Sequence, residues 1–346
     1  MGLVEKNVSV VELFELNKPF AYASVVKDVK TEELRYEVIE PTMTESELDA
    51  FHKIADILMQ TLNVTMTELG SQEKAEEFLK NEAIKVIKSG RVKVPKVSVD
   101  KLLYYLIRDF IGYGKIDALM RDLLIEDISC NGPGLPIYIW HRDYESMATN
   151  VVFQTDEELD SFVVRLASRS GKMISVAKPM LDASLPEGSR IQMTFGRQIT
   201  KHGSTFAIRK FKTDPFTIVD LIRLKTLSSD MAAYLWYLIE NRYFIFICGG
   251  VASGKTTMLN CLSNFIRPNL KIVSIEETPE LQLYHQNWIR SVTRPSSGVE
   301  TTAEISLFDL LKAALRQRPD YIIIGEVRGE ETFTLFQAVA TGHSSM

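Results

Sequence analysis

The sequence predicts an α/β protein: a parallel sheet in its C-terminal portion, preceded by an α+β domain and a small, mostly helical N-terminal segment. Three observations predict it. Short apolar runs at residues 243–248, 271–275 and Tyr321–Ile324 have the length and the β-branched or aromatic content of buried strands. Helical patterns separate these runs, and strands that alternate with helices make parallel sheets. Between residues 99 and 210 the order differs, with several short strands set among one or two helices. The resulting domain bounds are 1–97, 98–212 and 213–346.

Residues 1–43 are ambiguous, although Leu34–Ile39 alternates like an edge strand that Pro41 ends. Thr44 and Glu47 form a capping-box pattern. Behind them Leu48, Phe51, Ala55, Leu58 and Leu62 share one helical face. A second helix is predicted over 72–88. The basic residues Lys85, Lys88, Arg91, Lys93 and Lys96 follow, and they suit either an anionic surface or a solvated helix end and linker. From Val99, helical spacing of Leu102, Leu103, Leu106, Ile107 and Phe110 runs to Gly112 and Gly114.

Strands are predicted at 136–140, 149–153, 190–195 and 204–208, with a helix over 159–170. Arg165, Arg169 and Lys172 line one side of that helix, facing either acidic neighbours or solvent. Residues 210–215 read as an inter-domain linker, polar and ending in Pro215. Two helices follow, Ile218–Arg223 and 230–241, the second entered from Ser228 and Ser229.

Net charge is −5, which gives no global electrostatic case for nucleic-acid binding. Cys130, Cys248 and Cys261 are scattered and form no C-x-x-C pair, so neither a disulfide framework nor a zinc site is supported. No run approaches the roughly 18 apolar residues of a membrane span. A reducing cytoplasm is the simplest setting.

The chemistry concentrates after residue 248. Gly249, Gly250, Val251, Ala252, Ser253, Gly254, Lys255 and Thr256, with Thr257 next, read G-x-x-x-x-G-K-T between a strand and a helix. Glycines let backbone N–H groups curl around oxyanions, and the following helix aims its positive end at them. Lys255 suits the β- and γ-phosphates of a nucleoside triphosphate and the Thr256 hydroxyl its Mg2+. Acidic clusters follow the next two apolar strands: Glu276, Glu277 and Glu280, then Glu326. Carboxylates there serve either as helix caps or in holding Mg2+ and orienting water. Glu326 takes the usual metal-ligand place, because Asp320 stands at the start of its strand. Glu280 and Glu326 are both candidates to orient water. Of Arg190, Arg209, Arg316, Arg318 and Arg328, sequence does not choose which reaches nucleotide.

The ordered set of motifs resembles the type II/IV secretion ATPases, which power secretion systems, pili and the archaellum. It comprises LPEGSRI from Leu185, GSTFAIRKF to Phe211, the loop 249–256, IEETPEL from Ile275, LRQRPDYIIIGEVRG from Leu315, and ATGH to His343. Asp127 to Gly132 and Gly171 to Pro179 resemble its archaeal branch. The resemblance covers residue 99 onward and implies a RecA-like ATPase domain that uses ATP and Mg2+. It implies Glu280 as general base, Glu326 as the Walker B carboxylate, with Glu277 also near the metal, and His343 in a histidine box that senses the γ-phosphate. It further implies that Arg190 and Arg209 approach nucleotide held between domains.

The expected assembly is a homo-hexamer acting on a polytopic membrane platform protein, peripheral at the cytoplasmic face of the membrane and without nucleic acid. Family members continue well past the histidine box, so the chain reads as a fragment with an incomplete sheet. Two alternatives are a nucleotide-gated switch or scaffold and a RecA-like nucleic-acid motor. The acidic balance and the lack of a basic-aromatic stripe count against the latter.

Overall fold

The computed structural model describes residues 8–61, 71–90, 92–211, 215–250, 253–294, 305–327, 329, 331–340 and 342–346. The chain divides into two units, Met1–Lys210 and Phe211–Met346.

The first unit is built on a nine-stranded sheet of order β1-β2-β3-β6-β5-β4-β9-β8-β7. Its strands are β1 (Val8–Asn17), β2 (Ala21–Asp28), β3 (Leu34–Ile39), β4 (Ile125–Cys130), β5 (Pro136–His141), β6 (Glu145–Val152), β7 (Met180–Ser184), β8 (Arg190–Thr194) and β9 (Thr205–Arg209). Neighbours are antiparallel except β3 and β6, which run parallel. The helix Asp156–Arg169, capped by the Thr155 hydroxyl, buries Leu159, Phe162, Val163 and Leu166 against Ile128, Ile139, Met193 and Phe206. A second core joins the helices Glu45–Thr61, Gln72–Lys88 and Val99–Phe110 through Ile54, Leu58, Leu79, Leu102 and Leu106. The Thr44–Glu47 capping pattern forms as expected, with reciprocal bonds of 2.8 and 3.3 Å.

Two expectations for this unit change. Residues 8–39, within the stretch expected to be mostly helical, contribute three strands to the sheet. Leu34–Ile39 is interior, between β2 and β6, and the edge is β1. The reason is composition: β2 is buried at Ala21, Ala23, Ser24, Val25 and Val26 in turn, so it shows neither alternation nor bulk. Arg165 and Lys172 are exposed and Arg169 is half-buried, and all three donate to backbone carbonyls. Arg165 donates to the Asp109 carbonyl at 2.6 Å, and Arg169 to those of Ile111 and Gly112 at 2.6 and 2.8 Å. Helix Val99–Phe110 leaves carbonyls unpaired at its C-terminus, and cationic side chains satisfy them. Arg169 also lies over the Tyr113 ring at 4.0 Å, and Lys172 donates to the Asp182 carbonyl. In the basic stretch Lys85 pairs with Glu82, while Lys88, Lys93 and Lys96 are exposed and Arg91 lies outside the described residues.

The second unit has a parallel sheet of order β11-β10-β12-β13, from β10 (Ile272–Glu276), β11 (Trp288–Val292), β12 (Tyr321–Ile324) and β13 (Ser344–Ser345). Both central strands are buried throughout. Tyr321 and Ile323 face Leu259, Leu262 and Ile266, whereas Ile322 and Ile324 face Leu307, Leu311 and Leu335. That period of two places helices on both sides of the sheet. Residues 243–248, expected as a buried strand, form none. Ile245 and Ile247 turn toward one core and Phe244 toward the other, but Tyr243 and Phe246 are exposed. The run bonds to the sheet from the Ile245 amide to the Ser345 carbonyl at 3.2 Å, and β13 offers it a ladder of two residues.

Replacing Arg169 by Met removes two charge-assisted bonds to otherwise unpaired carbonyls. Urea unfolding should report a loss of about 2 kcal/mol.

Candidate functional site

The phosphate-type loop is shaped by its glycines. Gly254 stands at φ 84°, ψ 20° and caps the helix Lys255–Ser263, a conformation that costs a residue with a Cβ. A Cβ on Gly249 would come within 2.4 Å of the Ser253 hydroxyl. That hydroxyl donates to the Gly250 carbonyl at 2.8 Å, and the Lys255 ammonium donates to the same oxygen at 2.5 Å. Lys255 is therefore turned back over the loop instead of extending along its helix. A Cβ on Gly250 would meet nothing within 4 Å, so its backbone borders open space. An exposed glycine backbone, a helix N-terminus and a lysine folded over both make an anion cradle. Thr256 and Thr257 sit half-buried in the first helical turn, whereas Val251 and Ala252 lie outside the described residues.

Register brings the acidic loops together. Ile275 of β10 lies opposite Ile324 of β12, so residues 277–281 and 325–327 leave the sheet at one edge, side by side. Gly325 donates to the Ile275 carbonyl at 2.9 Å. Glu277 and Glu326 are exposed and Glu280 is half-buried. Glu276 differs from all three, being only 2% exposed. Burial holds its carboxyl above the usual carboxylate range, against the opposing pull of two amides and Arg290. One oxygen accepts from the amides of Glu280 and Leu281 at 2.7 and 2.8 Å. The helix behind the phosphate loop reaches the same segment, with Asn260 accepting from the Gln282 amide at 2.9 Å.

Asp320 serves the other edge of the sheet, as its place at a strand start suggests. It accepts from the Lys271 amide at 2.9 Å and pairs with Arg242 at 3.1 Å. His343 stands apart from the carboxylates of the acidic loops. Because β13 runs parallel to β12 with Ser344 opposite Tyr321, His343 enters the sheet where the strands begin, away from the edge that carries Glu280 and Glu326. In the first unit Arg190 and Arg209 face each other across β8 and β9, and Arg209 also lies opposite Asp127 of β4. Burial pushes the Asp127 carboxyl up, with Arg209 opposing. Arg328 lies outside the described residues.

Residues 113–346 match the family described as type II/IV secretion system protein. The chain belongs to that family. An uncharacterized protein of Methanocaldococcus jannaschii is 38% identical over 330 residues, which is 89% of this chain and 59% of the relative. A second protein of that organism is 38% identical over 277 residues, 78% of this chain and 37% of the relative. The chain thus spans well under two thirds of either archaeal protein. The type IV secretion system protein PtlH of Bordetella pertussis is 30% identical over 64% of this chain and 70% of its own length. The solved structure of the ATPase DotB from Legionella pneumophila aligns with a TM-score of 0.47 at 19% identity, over 67% of this chain and 63% of that one.

For this secretion-family chain the sequence named the acidic cluster but not its internal division of labour. Glu276 and Glu277 look alike in sequence. No signal in the sequence separates them, since the apolar alternation of Val273 and Ile275 leads to Glu277, whereas Glu276 follows Ile272 and Ser274 on the other face of β10. Asn260 carried none, being one polar residue on a helix.

A valine at position 254 must adopt a left-handed conformation that β-branched residues avoid. Gly254→Val should lower stability by about 1–2 kcal/mol in chemical denaturation.

Proposed function

We propose that this chain hydrolyses ATP with Mg2+ and serves as the motor subunit of a secretion-class machine. In this reading it forms a homo-hexameric ring at the cytoplasmic face of the membrane. The ring works against a polytopic platform protein to assemble or secrete type IV pilus-like or archaellum filaments. The observation that carries the reading is the Gly254-capped loop with Lys255 folded over it, flanked by a carboxylate loop tied to the same helix. Membership of the type II/IV secretion family supports the same reading.

Residues 249–257 hold the triphosphate through backbone amides, and Lys255 brings a positive charge to the β- and γ-phosphates. Among the described residues no group of three or more His, Cys, Asp or Glu stands ready to hold a metal. That suits Mg2+, which is ordinarily held by substrate phosphates, waters and one or two protein oxygens. Thr256 supplies one such oxygen, with Glu326 and Glu277 through water. When bound there, Mg2+ would supply positive charge that offsets the charge of the phosphates. Glu280 accepts the proton of, or orients, the attacking water. Arg190 and Arg209 supply positive charge for the equatorial oxygens, reaching nucleotide held by a neighbouring subunit.

In the intact protein, Lys255→Ala and chelation of Mg2+ should each lower ATP turnover by about 100-fold or more. A Lys255→Ala protein that hydrolyses ATP at the wild-type rate overturns the reading.

A further inference from the structure

Three consecutive backbone amides of the acidic loop are held by side chains rather than by other backbone. The Glu276 carboxylate takes the amides of Glu280 and Leu281, and the Asn260 side-chain oxygen takes that of Gln282. Both acceptors are buried, at 2% and 6% exposure. They approach from different elements: Glu276 from the end of β10, and Asn260 from the helix that begins at Lys255. Between them the Leu281 side chain is fully buried, packed with Leu259 and Leu262 of that helix. Glu276 itself has little room to move. Gly325 lies against it, so that a Cβ there would come within 3.2 Å of the Glu276 Cγ, and Arg290 stands 3.5 Å from its second oxygen.

We propose that Glu276 and Asn260 are positioning residues that fix the backbone of residues 280–282 and thereby set where the Glu280 carboxylate stands relative to the phosphate loop. This rests on the ATPase reading above. Its content is a division of labour within the acidic cluster. Glu280 faces the chemistry, Glu276 is a buried strut, and Asn260 ties that strut's loop to the helix that caps the phosphate site. A loop whose amides are released samples more conformations, and a displacement of about 1 Å at a reacting group can cost about 100-fold in rate. Among the described residues the phosphate loop takes no bond from either strut, so KM for ATP is expected to stay unchanged.

The test has two arms in the intact protein. Amide hydrogen exchange should show residues 280–282 exchanging about fivefold or more faster in Glu276→Ala and Asn260→Ala, with residues of the helix Lys255–Ser263 unchanged. ATP turnover should fall about 10- to 100-fold in kcat for both variants, with KM for ATP unchanged. Glu276→Gln, whose amide oxygen still accepts both bonds, should keep most of the turnover. Asn260→Ala leaves the sheet untouched and carries the test if Glu276→Ala does not fold. Unchanged exchange, or wild-type kcat in both alanine variants, overturns the proposal. So does a Glu276→Gln variant as inactive as Glu276→Ala, because Glu276 would then act through its charge in the chemistry. Wild-type protein that binds ATP without turning it over overturns the ATPase reading instead, and exchange alone then decides the strut.

Discussion

Ile275 lies opposite Ile324 in the parallel pair β10–β12, and the carboxylates of the candidate site take their places from that register. A parallel ladder carries each strand's exit to one edge, so the loops that begin at Glu277 and Gly325 emerge together. Sliding β12 by one residue would turn Ile322 and Ile324 to the opposite face and break both cores at once. Burial on two sides thus fixes the register, and the register fixes the site. The same rule places His343 at the opposite end, because β13 enters the sheet at the edge where Tyr321 begins.

The phosphate loop and the acidic loop share one support. The helix Lys255–Ser263 presents its N-terminus to the loop capped by Gly254, and from its second turn Asn260 holds the Gln282 amide. A change in the angle of that helix therefore reaches the carboxylates through one hydrogen bond and one packed leucine, Leu281. In the other unit, two arginines directly opposite on neighbouring strands repel each other, and Asp127 beside Arg209 offsets part of that repulsion.

Much of this was legible in the sequence where local chemistry decides structure. The Thr44–Glu47 capping box, the Ser228 cap and the buried strand at Tyr321–Ile324 all form as read, because each rests on contacts a few residues apart or on a continuous apolar run. Reading failed where distant partners decide. β2 buries Ala, Ser and Val on both faces, so the alternation that would announce a strand is missing. β11, an edge strand with Trp288 and Ile289 half-buried and Arg290 exposed, has no clean alternation. Residues 243–248 look like a core strand and yet meet only a two-residue neighbour. Arg165 is exposed, as a solvated face would be, but the carbonyls that Arg165 and Arg169 bind stand some 57 residues away, which sequence spacing does not reveal.

At the candidate site the residues were readable and their arrangement was not. The glycine pattern gave the loop, but burial alone separates Glu276 from Glu277, and pairing alone separates His343 from Glu326. The central claim is that this loop and these carboxylates perform different tasks, the first holding ATP and the second turning it over. Single-turnover hydrolysis measured beside equilibrium binding of Mg-ATP in Glu280→Gln tests it most directly. The account predicts unchanged binding with hydrolysis slowed by about 100-fold or more. Hydrolysis at the wild-type rate, or loss of binding in step with loss of hydrolysis, would contradict it.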